Sequence, residues 1–232
     1  MNDCKTRSTY NMKKHILLLS AIVISTFTFA QVNISGGIRA GLSYSAMRGD
    51  AINSLNKLLD FAEGKVTTGN RTGFFAGTYA TVPISGMISL EPALYYSQKG
   101  YEITGALNVK GAEFLTANAK AQLQSHYVDM PVLLKANISG LQLFAGPQVS
   151  YLMQADLKTT AGVLGFNLLN NKMDATQQFN RWDVGFTGGI GYQFTNGINV
   201  MAAYDHGLSK ADANRNFDSY NRSFKVGIGL SF

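Results

Sequence analysis

Apolar side chains recur at every second position along most of this chain, and that period restricts the fold more than any other feature. Between residues 87 and 99, Leu90 and Leu94 share one face. Glu91 and Lys99 lie on the opposite face. Because successive side chains of a β-strand point to opposite faces, this spacing predicts strands and not helices, whose period is 3.6 residues. Eight strands are predicted, over residues 32–45, 71–84, 87–99, 127–138, 141–155, 182–194, 198–205 and 223–232.

The segments between the predicted strands alternate between long and short. Long polar segments cover residues 46–70, 101–122, 156–180 and 209–221, and tight turns lie at 83–86, 139–140 and 195–197. The dipeptide Asn196-Gly197 favours a two-residue hairpin, because both residues adopt positive φ readily. Short turns on one side and long segments on the other are typical of barrels that cross the bacterial outer membrane. The predicted fold class is therefore all-β, an eight-stranded antiparallel up-and-down transmembrane β-barrel.

The composition leaves two kinds of barrel to consider. Hydrophobic residues make up 46% of the chain and charged residues 15%. No apolar run after the first 30 residues approaches the roughly 18 to 20 residues of a membrane helix. A soluble lipocalin-like barrel would place its apolar residues inside, whereas a membrane barrel places them outside.

Charged strand residues decide between the two barrels, because they fall on one parity. These residues are Arg39, Glu91, Lys99, Asp129, Lys135, Asp183, Asp205 and Lys225. The opposite parity carries aromatic residues suited to a membrane interface, namely Tyr44, Tyr96, Tyr151, Trp182, Tyr192 and Tyr204. A Lys or Arg that faces hydrocarbon at mid-depth costs about 2–4 kcal/mol. We therefore expect the charges inside, as a network that fills the narrow lumen of an eight-stranded barrel.

The first 30 residues have the pattern of a secretory signal peptide. A basic segment begins at Met12, a candidate for the true start, and an apolar segment runs from Ile16 to Phe29. The small residue Ala30 follows, and we predict cleavage after it. The apolar segment is short for a membrane span. The predicted domains are a signal peptide with an upstream extension at 1–30 and a barrel at 31–232.

Several classes of chemistry are not expected. The single cysteine, Cys4, precedes the predicted cleavage site, so the barrel has no disulfide and no thiol chemistry. No cluster of ligands has the spacing of a metal or cofactor site, and no basic cluster predicts nucleic-acid binding. Ser125-His126 and the pair His206 and Ser209 are the only hydrolase candidates. Adjacent strand residues face opposite ways, which disfavours the first pair.

Two segments suggest partners. The last strand alternates up to the final residue, with apolar residues at Phe224, Val226, Ile228, Leu230 and Phe232. Such a strand resembles the signal read by the barrel-assembly machinery. In the first long segment, Ile52, Leu55, Leu59 and Ala62 follow helical spacing after Asp50, a candidate N-cap. This spacing predicts either a short helix over the barrel mouth or a docking surface for a partner.

Four blocks of sequence resemble the PorT-type outer-membrane β-barrel family. They are Leu90–Gly100, Tyr127–Lys135, Phe144–Pro147, and Trp182–Gly185 taken together with Gly188–Gly191. The resemblance implies an eight-stranded barrel in the outer membrane, in contact with its lipid. One branch of the family resembles a component of a gliding-associated secretion system.

The sequence is compatible with three functions. The leading hypothesis is a non-enzymatic structural or interaction barrel, with envelope partners reached through residues 46–70 and 156–180. The alternatives are a narrow channel for small solutes and a lipid-modifying enzyme.

Overall fold

The computed structural model describes residues 34–49, 65–109, 112–163, 166–213 and 218–232. The predicted signal peptide and the predicted helix within 51–62 lie outside these residues. Within the described ranges, no helix has the length and hydropathy of a membrane span.

Antiparallel strands make up most of the described chain. They are β1 Ser35–Arg48, β2 Lys65–Pro83, β3 Ile88–Val109, β4 Ala112–Ile138, β5 Leu141–Val163, β6 Phe166–Asp174, β7 Trp182–Gln193, β8 Ile198–Gly207 and β9 Tyr220–Ser231. A single 3₁₀ turn, Thr176–Gln178, follows β6.

Eight of these strands close into a ring, in the order β1, β2, β3, β4, β5, β7, β8 and β9. Strand β1 pairs with both β2 and β9, and the pairing of β4 with β5 joins the two halves. The predicted eight-stranded antiparallel barrel is confirmed. Strand β6 is additional to the ring, because it pairs with residues 156–163 of β5 alone.

Tight hairpins set the register at one end of the barrel, which we name the turn end. Ile138 and Leu141 pair across the two-residue turn of Ser139 and Gly140, whose φ angles are 52° and 91°. Positive φ at both central residues gives the turn the twist that flanking strands require. The amide of Gly140 is also bound by the side chain of Asn137 at 3.0 Å.

At the opposite end, which we name the loop end, several strands continue as a sheet beyond the barrel. This part, the extension, comprises residues 65–70, 101–109, 112–125, 156–163 and 166–174. The prediction of polar loops over 101–122 and 156–180 was wrong for most of both segments. Among the described side chains of the extension, only Leu123, Ser125 and Asp156 at its base are buried and the others are exposed or half-buried, so the apolar alternation is weak there. The backbone groups still need hydrogen-bond partners, and the neighbouring strands supply them.

The barrel wall has opposite polarity on its two faces. Outward side chains include the exposed residues Ile38, Leu42, Leu94, Leu134, Leu143, Phe186, Ile190, Val226 and Ile228. The eight predicted interior charges are all buried. The structure therefore has the polarity of a membrane barrel and not of a soluble one.

Strand β2 was ambiguous in sequence, and its register resolves the ambiguity. Phe74 is 45% exposed and points outward, whereas Phe75 is 1% exposed and lies inside. Glycine on a facing strand makes room for the Phe75 ring, because a Cβ at Gly227 would lie 2.6 Å from Phe75 Cζ. Tyr79 is accommodated in the same way beside Gly37.

Candidate functional site

The lumen contains a cluster of charges near the turn end, centred on Glu91. Arg39 donates to Glu91 Oε1 at 2.7 Å and to the Tyr95 hydroxyl at 2.7 Å. Lys135 donates to the other carboxylate oxygen. Asn199 accepts from Arg39 Nε at 3.3 Å. Both oxygens of a fully buried carboxylate are thus bound by cations from β1 and β4, which offsets much of the cost of desolvating it.

A second cluster lies nearer the loop end and is centred on Asp129. Lys99 donates to its Oδ1 and Lys225 to its Oδ2, both at 2.8 Å. Two hydroxyls, from Ser97 and Ser150, each donate to the same carboxylate at 2.6 Å. Four donors on one carboxylate satisfy its capacity as an acceptor.

Asp205 extends this cluster, and Asp183 lies beside it. Lys225 forms an ion pair with Asp205 at 2.6 Å. Thr187 donates to the same carboxylate at 2.9 Å. Asp183 accepts from Asn221 at 2.8 Å on one oxygen, while its Oδ1 has no hydrogen-bond partner among the described residues. A cavity of about 10 Å³ adjoins Asp183, which is room for about one water molecule.

Aromatic rings close the space between the ion pairs. The Arg39 guanidinium lies 4.1 Å from the centre of the Tyr79 ring, and Lys99 Nζ lies 4.8 Å from that of Tyr127. These are distances of cation–π contacts, which favour cations removed from water.

The structure thus brings seven of the eight predicted charges into ion pairs within the lumen, and it places Asp183 next to them without one among the described residues. Sequence reasoning missed the neutral partners, chiefly Tyr95, Ser97, Ser150 and Asn199. They share the inward parity with the charges, and that parity was the available signal. Which of them meet depends on how the ring closes, and parity does not encode it.

The hydrolase candidates are not assembled in the described structure. Ser125 is buried on the inward face, whereas His126 lies on the outward face with its Nδ1 2.5 Å from the Tyr96 hydroxyl. Ser209 accepts from the amide of Val184 at 2.9 Å. Neither serine side chain forms a hydrogen bond with a histidine among the described residues, so the geometry that activates a serine nucleophile is not formed there.

The predicted partner segments lie at the two ends of the barrel. Phe224, Val226, Ile228, Leu230 and Phe232 are all exposed on the outward face, and the last of them lies at the turn end. The described parts of 46–70 and 156–180 lie at the loop end, where β5 and β6 form a hairpin.

Solved barrels resemble this chain at low sequence identity. Ail of Yersinia pestis, in complex with the heparin analogue sucrose octasulfate, is 11% identical over 86% of this chain and 99% of that chain, with a TM-score of 0.39. Neisserial surface protein A is 13% identical over 86% and 99%, with a TM-score of 0.41. OprG of Pseudomonas aeruginosa is 13% identical over 87% and 97%, with a TM-score of 0.37.

No curated protein matches the chain. A family model does match it, over residues 29–213, and its description is outer membrane protein beta-barrel domain. The matched range covers the described strands from β1 to β8. The predicted location in the outer membrane is confirmed by this match. The chain therefore belongs to the outer membrane protein beta-barrel domain family and is a protein of the outer membrane.

Proposed function

We propose that this protein is a closed, non-enzymatic barrel that stabilises itself with a filled lumen and presents its extension at the cell surface to envelope partners. The observation that supports closure is the ion pair of Asp129 and Lys225. Their strands, β4 and β9, stand four places apart in a ring of eight and so face each other across the lumen. Their side chains meet at 2.8 Å.

Passage of a solute would require this pair to separate. Both side chains are buried, and breaking a buried ion pair leaves an uncompensated charge that costs about 3–5 kcal/mol. Asn221 of β9 also donates to the Tyr127 hydroxyl of β4 at 3.3 Å, so a second bond crosses the lumen nearer the loop end. These two contacts favour a closed barrel over the narrow channel.

Conductance across a planar lipid bilayer tests closure. The purified barrel should produce no steady current, and the matched variant Lys158→Gln should behave in the same way, because Lys158 lies in the extension. Folding of the barrel is verified by the heat-dependent shift of the protein on a gel. Steady, uniform current steps from the wild-type barrel would contradict closure and would support the channel.

The interaction role is supported by the extension, which projects a sheet well beyond the barrel wall. Its β5–β6 hairpin lies within the predicted partner segment 156–180, and Leu169 and Met173 are exposed on it. Lys172 also stands on this hairpin, 3.2 Å from Asp156. Leu169 and Met173 share one face of β6, and we propose that they contribute apolar contacts to this partner surface.

A pull-down in gentle detergent tests this role. The hairpin can be shortened by joining Leu157 to Met173 through a two-residue turn, because these residues pair directly. We expect a partner that co-purifies stoichiometrically with the wild type to be lost from this variant. The matched control is Glu102→Gln, on β3 of the extension and outside the β5–β6 hairpin, and should keep the partner. A wild-type barrel that purifies alone would contradict the interaction role.

Three finer points belong to the same proposal. Residues 1–30 are a leader, so the mature protein should begin at Gln31 when its N-terminus is sequenced.

The strand that ends at Phe232 engages the assembly machinery, so deletion of Phe232 should reduce the amount of folded barrel in outer membranes. The chain is of the PorT type, as the four sequence blocks suggest, and loss of protein secretion on its deletion would place it in the secretion branch.

A further inference from the structure

Three aromatic side chains mark one level of the outward face near the loop end. Tyr44 of β1 pairs directly with Phe224 of β9, and Phe224 pairs with Tyr204 of β8. All three are exposed on the lipid-facing parity. Aromatic rings concentrate at the boundary between hydrocarbon and headgroups. This row therefore lies at the hydrocarbon–headgroup boundary of the outer leaflet, because the long segments of outer-membrane barrels are extracellular.

Two arginines stand just beyond this row on the same face. Arg222 precedes Phe224 by two positions and so lies nearer the loop end, and Arg48 of β1 pairs with Tyr220 of β9. Arg48 and Arg222 are diagonal neighbours in the ladder, and such residues lie about 7–8 Å apart. A strand advances about 3.3 Å per residue, so both guanidinium groups reach the layer occupied by lipid phosphates.

Arg222 is held in a fixed orientation. Its Nη1 donates to the carbonyl of Asn221 at 2.9 Å and to the carbonyl of Gly207. The guanidinium carbon lies 5.7 Å from the centre of the Tyr220 ring. These contacts engage Nη1 and leave Nε and Nη2 without a partner among the described residues. A pre-oriented guanidinium loses less entropy when it binds a ligand.

Neither arginine forms an ion pair with a described residue, in contrast to lysines elsewhere at this end of the molecule. Lys210 pairs with Asp218 at 2.5 Å, and Lys120 pairs with Glu102 at 2.7 Å. The charges inside the lumen also balance, with four of each sign. The pair of arginines therefore adds positive charge to the outward face at headgroup depth.

We propose that Arg48 and Arg222 form a binding site for the phosphate groups of the outer-leaflet lipid. A guanidinium presents parallel N–H donors that match two phosphate oxygens, and such charge-assisted bonds are stronger than neutral ones. The aromatic row beneath would contact the upper part of the acyl chains. The site fixes the depth and the rotation of the barrel relative to its lipid, and it depends on neither the closed lumen nor the partner of the extension.

The test uses the full barrel refolded in detergent, so that no native lipid is carried over. It is titrated with lipid A that retains its phosphates and, separately, with the same lipid A after chemical removal of the phosphates. Native mass spectrometry measures the bound lipid. We expect the wild type to prefer the phosphorylated form, and the double variant Arg48→Gln, Arg222→Gln to bind that form about tenfold more weakly.

The matched control is the double variant Lys158→Gln, Lys172→Gln, which removes the same charge from the extension and should keep wild-type affinity within about twofold. Arg48→Gln alone, at an exposed position, supplies the result should the double variant fail to fold, and it should weaken binding about threefold. Equal binding of both lipid A forms by the wild type would overturn the site. An equal loss in the control would reduce the effect to general electrostatic attraction and would overturn it as well.

Discussion

The lumen and the extension contain the same kind of ion pair in different surroundings. Lys99 and Asp129 meet at 2.8 Å in the lumen, with 3% and 0% of their side chains exposed. Lys120 and Glu102 meet at 2.7 Å in the extension, with 41% and 25% exposed. The two ion pairs therefore have nearly equal distances but contribute different free energies to stability. Water competes for the exposed pair, whereas the buried pair has only the protein to satisfy it.

The largest expected effect comes from removing the acceptor at the centre of the lumen. Asp129→Ala leaves Lys99 and Lys225 buried without their shared carboxylate, so the free energy of unfolding should fall by about 3–5 kcal/mol. Urea titration of the barrel in lipid vesicles, followed by tryptophan fluorescence, measures the change. A fall of less than about 1 kcal/mol, the size expected for an exposed ion pair, would show that water already reaches Asp129.

A pair of glycines sharpens the same comparison through packing. A Cβ at Gly227, in the lumen, would lie 2.6 Å from Phe75 Cζ, whereas at Gly69, in the extension, the nearest atom would be 3.9 Å away. Gly227→Ala should therefore destabilise the barrel by about 1–3 kcal/mol through overpacking.

Gly69→Ala is the matched control and should be neutral or stabilising by up to about 1 kcal/mol, because glycine inside a strand carries an entropic cost. The same urea titration measures both variants. Equal effects at the two positions would mean that the lumen is less tightly filled than the contacts of Phe75 indicate.

The smallest expected effect is at the exposed pair. Glu102→Gln should change the free energy of unfolding by less than about 1 kcal/mol. Partial burial raises the pKa of Glu102, but hydrogen bonds from Lys120 and Gln122 lower it more, so its pKa lies below the usual value.

The sign of the pH dependence follows from that direction. A carboxyl group with a lowered pKa in the folded state contributes its stabilisation above its unfolded pKa of about 4.3 and loses it as the pH falls through the folded value. The difference in unfolding free energy between the wild type and Glu102→Gln should thus shrink as the pH falls from 7 to 3. A difference that grows toward low pH would contradict the pairing with Lys120.

The sequence predicted those features that depend on contact with lipid. The polarity of a residue predicts which face of the wall it occupies, because apolar residues such as Leu94 face hydrocarbon and charged residues such as Glu91 face the lumen. The same rule failed for β2, where Phe74 and Phe75 are both apolar. There, the space left by glycines on facing strands places Phe75 inside, and that depends on ring closure.

The strands of the extension were not predicted, for a related reason. Residues 169–174 of β6 are exposed on both faces, so no polarity difference marks that part of the strand. The sequence also did not predict which residue each charge pairs with. Asp129 and Lys225 are 96 positions apart, and only the closure of an eight-stranded ring places them face to face.

A double-mutant cycle on Asp129 and Lys225 tests most directly whether a bond across the lumen holds the barrel closed. The variants are Asp129→Asn, Lys225→Met and the two combined, with Glu102→Gln and Lys120→Gln as the matched exposed cycle. We expect a coupling of about 1–3 kcal/mol for the lumen pair and less than about 0.5 kcal/mol for the exposed pair. Couplings of the same small size in both cycles would contradict the account.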